Sequence, residues 1–211
     1  MTIAVVDYGA GNLRSVENAL TRAGGEGVIV TSDPAKVASA DRVVLPGDGA
    51  FPDCRTALGQ ASGLGEALDE VVTRRGRPFL GICIGMQLLA TTGEEYEETP
   101  GLDWIPGRVR RIEPGDARLK VPHMGWNTLN PHRDHALLDG LALGQGGLHA
   151  YFLHAYHLTP NDPDDVVASA TYGGEVTALV ARGNVAGVQF HPEKSQTLGL
   201  ALLANFVRWR P

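Results

Sequence analysis

Four short apolar runs, separated by segments with helical spacing, constrain the fold of this chain most. The runs read IAVVD (3–7), VIVT (28–31), RVVLPG (42–47) and PFLGIC (78–83), and they contain many β-branched residues. Strands that are apolar on both faces are typical of parallel sheets covered by helices on both sides. The first half of the chain therefore predicts an α/β fold with a parallel sheet.

The segments between these runs carry the helical signals. Apolar residues recur at helical spacing over 13–23, and Gly24 and Gly25 end that pattern. A short helix follows, with Ser32 or Asp33 as its cap and Pro34 in its first turn. We also predict helix over residues 58–75, broken around Gly63, and over 84–93.

The second half of the chain changes to short strand-like runs with turns. Residues 170–190 favour an antiparallel meander with turns at 173–174 and 183–184, and an amphipathic helix closes the chain. We find neither an internal repeat nor a linker, so one domain over residues 1–211 is expected. The predicted fold is a single α/β domain. It has a largely parallel central sheet flanked by helices and a smaller antiparallel portion in the C-terminal half.

The charge and cysteine content of the chain limit which partners and which cellular compartment are expected. A net charge of −6 and a pI near 5.6 argue against a nucleic-acid-binding protein, which usually carries a basic face. Two cysteines form no disulfide framework, and neither a signal peptide nor an apolar stretch of about 18 residues is evident. We therefore expect a cytoplasmic protein that does not associate with membranes.

Cys83 lies in the sequence pattern of a nucleophile elbow. In FLGICIGMQLL (79–89) an apolar strand is followed by Gly-x-Cys-x-Gly and then by a helical segment. Gly81 and Gly85 allow the neighbouring backbone to approach a tight turn without a clash of Cβ atoms. The thiol would lie at the carboxyl edge of the sheet and at a helix N-terminus, which lowers its pKa. A buried core cysteine is the alternative, but the elbow pattern favours a nucleophile.

A second segment, VQFHPEKS (188–195), offers the base that such a thiol needs. Pro192 biases His191 toward an extended conformation. Side chains two residues apart in extended chain point to the same side, so Glu193 would accept a hydrogen bond from His191. The alternative is a surface turn with a solvated histidine. Together with the elbow, the segment predicts a triad of Cys83, His191 and Glu193.

Four other features are less informative. LPGDGAF (45–51) lies at the end of the third apolar run, and its glycines allow backbone N–H groups to bind an oxyanion, although this segment alone favours an ordinary strand-to-helix turn. Arg14 stands where a dinucleotide-binding motif has its third glycine. His154 and His157 would face opposite sides of a strand, so we predict no metal site. Cys54 is expected to be structural.

These segments together resemble those of the class I glutamine amidotransferases. GICIGMQLL and HPEKS are typical of the whole class. YGAGNLRSV and PHMGWN resemble, more narrowly, the glutaminase subunits of imidazole glycerol phosphate synthases in histidine biosynthesis. The resemblance covers the chain from end to end. It implies that Cys83 attacks the side-chain amide of glutamine, that His191 protonates the departing ammonia and then activates water, and that Glu193 orients His191.

The resemblance also implies residues that hold the substrate, without any cofactor. The backbone N–H groups of Ile84 and Asp48 would bind the oxyanion. Gly49 and Gln87 would hold glutamine, and Asn12 would lie in a loop beside the site. The family usually has a small apolar residue in place of Asp48, so a carboxylate near a developing negative charge is a departure from its pattern.

A partner subunit is expected as well. Ammonia released into water at neutral pH is mostly protonated and loses its nucleophilic lone pair. The resemblance implies a heterodimer with a (β/α)₈-barrel cyclase, which makes imidazole glycerol phosphate and an aminoimidazole carboxamide ribonucleotide. Trp126, Tyr151 and Lys194 would lie at or near the interface, although the sequence alone allows Trp126 to be a core residue equally well.

Other functions share parts of this pattern. The amidotransferase subunit of anthranilate or aminodeoxychorismate synthase has the same elbow and triad, but YGAGNLRSV and PHMGWN argue against it. A Cys-dependent peptidase of related fold would use the elbow and would need no partner. A binding module that has lost its chemistry fits poorly, because all three triad residues are present.

Overall fold

The chain alternates strands and helices as far as residue 87 and then consists mainly of strands. The computed structural model describes all residues from 1 to 211. In chain order the first elements are β1 (Ile3–Val6), α1 (Leu13–Arg22), β2 (Val28–Thr31), α2 (Pro34–Ser39), β3 (Arg42–Gly47), α3 (Phe51–Gln60), α4 (Leu64–Leu68), β4 (Phe79–Cys83) and α5 (Ile84–Gln87). They are followed by β5 (Thr92–Gly93), β6 (Thr99–Pro100), β7 (Gly107–Arg111), β8 (His123–Thr128), β9 (Asn130–Pro131), β10 (His149–His154), β11 (Tyr156–Pro160), β12 (Val166–Thr171), β13 (Glu175–Arg182), β14 (Val185–Val188) and α6 (Gln196–Arg208).

Eight of these strands form one mixed sheet, in the order β2-β1-β3-β4-β14-β13-β12-β9. The five strands from β2 to β14 run parallel, and the remaining three continue the sheet antiparallel. The predicted parallel sheet and the predicted meander are both confirmed. Because β14 also pairs with β4, the meander extends the central sheet and brings the end of β14 beside the elbow.

Helices flank the central sheet, and two smaller sheets complete the structure. Helix α1 packs with α6, whereas α2 packs with α4. One small sheet is the antiparallel pair of β8 and β10, and the other has the order β11-β7-β5-β6. Every residue of β1, β3, β4 and β14 is buried, as expected for strands covered on both faces. No helix is long and apolar enough to cross a membrane.

The structure differs from the predicted helices in two places. The segment expected to be helical over 58–75 begins earlier, at Phe51, and is interrupted before Gly63, whose φ is +76°. A π-helical stretch (Asp69–Arg74) then follows α4. The helix expected over 84–93 is only the single turn of α5. Its continuation is prevented because the carbonyls of residues 88–90 accept hydrogen bonds from backbone N–H groups of residues 102–105.

The elbow depends on close contact between α5 and the ends of β3 and β4. A Cβ atom on Gly85 would collide with the carbonyl oxygen of Leu45, and one on Gly81 would collide with the carbonyl oxygen of Gly85. A Cβ on Gly47 would lie 2.8 Å from the Gly85 nitrogen. The glycines of the elbow are therefore required by packing between backbones, as the Gly-x-Cys-x-Gly pattern predicts.

Replacing Gly85 by alanine should lower the free energy of unfolding by about 3 kcal/mol or more, because neither backbone segment can yield without moving a buried strand. Chemical denaturation of the purified variant measures this change. Gly65→Ala is the matched control, since Gly65 lies in α4 and a Cβ there would meet nothing within 4 Å. That control should be neutral or stabilised by up to about 1 kcal/mol. Equal stability of the two variants would contradict the packing account.

Candidate active site

Cys83 is the last residue of β4 and has an unusual backbone conformation. Its φ of 56° and ψ of −112° fall in a region that non-glycine residues rarely adopt. Such strain is held in place only where the surrounding structure enforces it, which here is the glycine packing of the elbow. Cys83 pairs in register with Gly47 at the end of β3, so the thiol lies at the carboxyl edge of the parallel sheet.

A cavity of about 230 Å³ opens beside the Cys83 thiol. It is smaller than the roughly 300–1,000 Å³ typical of sites for drug-sized ligands, and its size suits an amino acid. Five residues predicted for catalysis or binding line it together: Asp48, Gly49, Cys83, Ile84 and Gln87. The rest of the lining is Glu95, Pro122, Leu153, His154, Ala155 and Tyr156. Sequence reasoning missed Glu95, whose carboxylate also accepts a hydrogen bond of 2.8 Å from the Phe51 N–H at the start of α3.

His191 and Glu193 form a buried pair. Nδ1 of His191 lies 2.9 Å from Oε1 of Glu193, and the Glu193 side chain is only 1% exposed. The predicted pairing is therefore present, and His191 itself is extended as predicted, with φ of −98° and ψ of 97°. The residues after His191 are not extended. Residues Pro192–Lys194 form a 3₁₀ turn, which folds the carboxylate back under the imidazole.

The environment favours a protonated imidazole at His191. Burial acts to lower its pKa, but hydrogen bonding and charge from Cys83 and Glu193 outweigh it and raise the pKa to about 10. At neutral pH the ring therefore holds a proton between two acidic groups. This is the charge distribution expected when a cysteine thiol has given its proton to a neighbouring histidine.

In the turn after β3, the backbone N–H of Gly49 has a protein acceptor and that of Asp48 has none. The Gly49 N–H bonds Oδ1 of Asp48 at 3.0 Å, so this carboxylate is directed at its own loop. The backbone N–H of Asp48 donates to no protein acceptor. The Asp48 carbonyl accepts a hydrogen bond from the Cys54 thiol at 3.3 Å, which gives that buried cysteine a structural role. Ile84 begins α5, and the first N–H groups of a helix lack intrahelical partners.

Two buried glutamine side chains connect the cavity to the sulfur. Nε2 of Gln87 donates to the Tyr156 carbonyl and to Oε1 of Gln189, each at 3.0 Å. Nε2 of Gln189 lies 3.8 Å from Sγ of Cys83. Gln189 was missed by sequence reasoning, although the alternation used for Glu193 would have placed it on the same side of the chain as His191.

Comparison with known proteins assigns a family to this fold and site. The family model for class I glutamine amidotransferases matches residues 4–209.

The chain belongs to the class I glutamine amidotransferases.

Similar proteins include "Imidazole glycerol phosphate synthase subunit HisH" from Rhizobium meliloti, 55% identical over 100% of both chains, and from Rhodopseudomonas palustris, 54% identical over 100% of both. Among solved structures, one described as a glutamine amidotransferase is 21% identical, with a TM-score of 0.72, over 97% of this chain and 99% of that one. The structure of PurLQS from Thermotoga maritima is 20% identical, with a TM-score of 0.71, over 98% of this chain and 97% of that one. At these identities the structures support the fold.

In this amidotransferase the backbone of His191 is hydrogen-bonded to strand β10. The His191 N–H donates to the Tyr151 carbonyl at 2.9 Å. Ser195 Oγ donates to the His191 carbonyl at 2.6 Å and accepts the Tyr151 N–H at 2.9 Å. A Cβ on Gly199 would collide with the Pro192 carbonyl, so α6 presses directly on this turn. The backbone of Tyr151 thus holds the His191 turn in place, while its ring contacts Trp126.

The remaining predicted residues of the amidotransferase lie outside the cavity. Asn12 is exposed at the start of α1 and does not line it, although the loop before it packs on Pro46 through Gly11. Trp126 is 47% exposed and contacts Tyr151 with their ring centroids 5.6 Å apart, so Trp126 is not a core residue. Lys194 is exposed. No group of three His, Cys, Asp or Glu residues could hold a metal ion.

Replacing Glu193 by glutamine should lower the pKa of His191 well below its value of about 10, because a neutral amide stabilises the imidazolium less than a carboxylate does. NMR titration of the His191 ring measures the shift. Glu97→Gln, which neutralises an exposed carboxylate, should leave the titration unchanged. An unaltered His191 titration in a folded Glu193→Gln protein would remove Glu193 from the electrostatics of the site.

Proposed function

We propose that this chain is the glutaminase subunit of an imidazole glycerol phosphate synthase, with Cys83, His191 and Glu193 as its catalytic triad. The single observation that carries the catalytic assignment is the strained Cys83 elbow, which lines a cavity sized for an amino acid and has the buried His191–Glu193 pair beside it. The synthase assignment rests on full-length similarity, 52–55% identical, to proteins named as HisH subunits.

The reaction begins with the Cys83 thiolate attacking the side-chain carbonyl carbon of glutamine. The carbonyl oxygen becomes negative and is bound by the backbone N–H groups of Ile84 and Asp48. His191 gives its proton to the amide nitrogen, the C–N bond breaks, and ammonia leaves behind a thioester. His191 then accepts a proton from water, which attacks the thioester and releases glutamate and the thiolate. Glu193 stabilises the charged imidazole each time it forms.

Glutamine is held by the residues of the cavity. Oε1 of Gln87 is buried and bonds no protein group, so it is free to accept a hydrogen bond from the substrate. The Glu95 carboxylate on the cavity wall suits the α-ammonium group of an amino acid. Gly49 lines the cavity. The substrate-binding role of Asn12 rests on the family resemblance alone, because Asn12 lies at the start of α1 and does not line the cavity.

The partner is a (β/α)₈-barrel cyclase that takes the ammonia and docks on the pair of strands β8 and β10. One face of this pair exposes Met124 (66%) and Trp126 (47%), and the ring of Tyr151 contacts Trp126. Leu153 of the same pair lines the cavity, so ammonia formed at Cys83 needs to travel only a short way to this face. Lys194 is exposed in the turn after His191, and we include it in the interface on the family resemblance. The products of the complex are imidazole glycerol phosphate and an aminoimidazole carboxamide ribonucleotide.

Replacing Cys83 by serine should abolish product formation from glutamine in the complex with the cyclase, because a serine hydroxyl stays protonated where a thiol can ionise. Product should still form from concentrated ammonium salt at raised pH, where free ammonia reaches the cyclase directly. Product formation from each nitrogen source measures the split. Cys54→Ser is the matched control and should use both sources. Loss of both activities in a Cys83→Ser complex that still assembles would disprove the ammonia-donor function.

Replacing Trp126 by alanine should weaken binding of the cyclase about 30-fold or more, since buried aromatic residues at the centre of an interface contribute about 2 kcal/mol or more. Titration calorimetry or surface plasmon resonance measures the affinity. Tyr96→Ala removes an exposed aromatic ring from a loop outside the strand pair and should leave the affinity unchanged. Equal affinities of the two variants would place the interface elsewhere.

A further inference from the structure

We infer that Gln189 is a positioning residue that stabilises the Cys83 thiolate through its side-chain amide. The inference deepens the proposed function and rests on it in taking Cys83 as the nucleophile. Gln189 is fully buried, and its Nε2 lies 3.8 Å from Sγ, within hydrogen-bonding range for the larger sulfur atom. It follows β14 directly, two residues before His191, so the amide and the imidazole approach the sulfur from the same segment.

A chain of fixed contacts orients the amide. A backbone carbonyl only accepts hydrogen bonds, so the carbonyl of Tyr156 requires the NH₂ group of Gln87 to face it. The same NH₂ group donates to Gln189, which requires the oxygen of Gln189 to face Gln87. The NH₂ group of Gln189 is therefore directed at Cys83. The opposite orientation would place two NH₂ groups against each other and an amide oxygen against an anionic sulfur.

A negative charge on the buried Cys83 sulfur requires a hydrogen-bond donor, and the Gln189 amide supplies one. Helix α5 is a single turn, so its dipole offers little to a thiolate that is 97% buried by its surroundings. When the thiol ionises, its proton passes to His191 and the negative charge stays on sulfur. Gln189 donates without gaining or losing a proton, so its stabilisation is present whenever the sulfur is ionised. The same bond holds Gln87 in place against the cavity.

Several other titratable groups lie near the Cys83 sulfur, and a substitution at Gln189 alone leaves each of these residues in the chain. They are Tyr8 from the loop after β1, Asp48 and Cys54 from the segment after β3, Glu95, His154 at the end of β10, and the pair of His191 and Glu193. A difference in thiol titration between wild type and a Gln189 variant therefore reports the amide.

The test is the pH dependence of Cys83 alkylation by iodoacetamide in the full-length chain. Alkylation at Cys83 is followed by mass spectrometry of its peptide, which separates it from Cys54. Gln189→Leu keeps the size of the side chain and removes the donor, so the midpoint of the Cys83 alkylation profile should move to higher pH. Gln189→Glu places a carboxylate against the sulfur and should raise it further. The acid limb of the kcat/KM profile of the complex for glutamine should shift in the same direction.

Asn205→Leu is the matched control, because it removes a buried amide that bonds the carbonyls of Leu137 and Asp139 away from the sulfur. Its alkylation profile should match wild type even if its melting temperature falls. Superimposable profiles for folded Gln189→Leu and wild type would overturn the inference. Because alkylation reports the thiol without any turnover, a shifted profile in a protein that lacks glutaminase activity would support the role of Gln189 and count against the proposed function instead.

Discussion

The close approach of α5 to the ends of β3 and β4 is the constraint on which the rest of the site depends. Gly85 lies so near the Leu45 carbonyl that no side-chain carbon fits between them, and Gly47 and Gly81 complete the contact. This packing forces the chain at Cys83 into a conformation that it would otherwise avoid. The sulfur, the first N–H groups of α5 and the turn after β3 thereby reach the same side of the sheet.

Charge is arranged around the sulfur so that proton transfer is favoured before any substrate arrives. His191 is held protonated between Cys83 and Glu193, and both partners are buried from water. Interactions between charges are stronger in such a setting than at the surface. Because Gln87 and Gln189 bond each other in the same buried region, a residue of the cavity wall and the side chain beside the Cys83 sulfur share one network.

The strand pair of β8 and β10 links the site to the surface assigned to the cyclase. Tyr151 bonds the backbone of His191 and contacts Trp126. A second route runs through His123, whose Nδ1 lies 3.2 Å from Nε2 of His154, a residue of the cavity wall. Burial lowers the pKa of both histidines, so both are neutral at physiological pH and able to donate and accept hydrogen bonds at once. The strand pair is therefore connected by hydrogen bonds both to the His191 backbone and to the cavity wall.

Local patterns in the sequence determined the architecture and the reactive residues. The apolar runs predicted β1 to β4, Asp33 caps α2 through a 2.9 Å bond to the Ala35 N–H, and the glycines around Cys83 predicted the elbow. Contacts between distant segments decided the length of α5 and the arrangement of the side chains around Cys83. Hydrogen bonds between such segments produce no pattern in the local spacing of residues, so the sequence does not reveal them. Competition from residues 102–105 reduced α5 to one turn, and a 3₁₀ turn set the His191–Glu193 pair. Only the tertiary structure left Trp126 exposed and brought Gln189 to the sulfur 106 residues away in sequence.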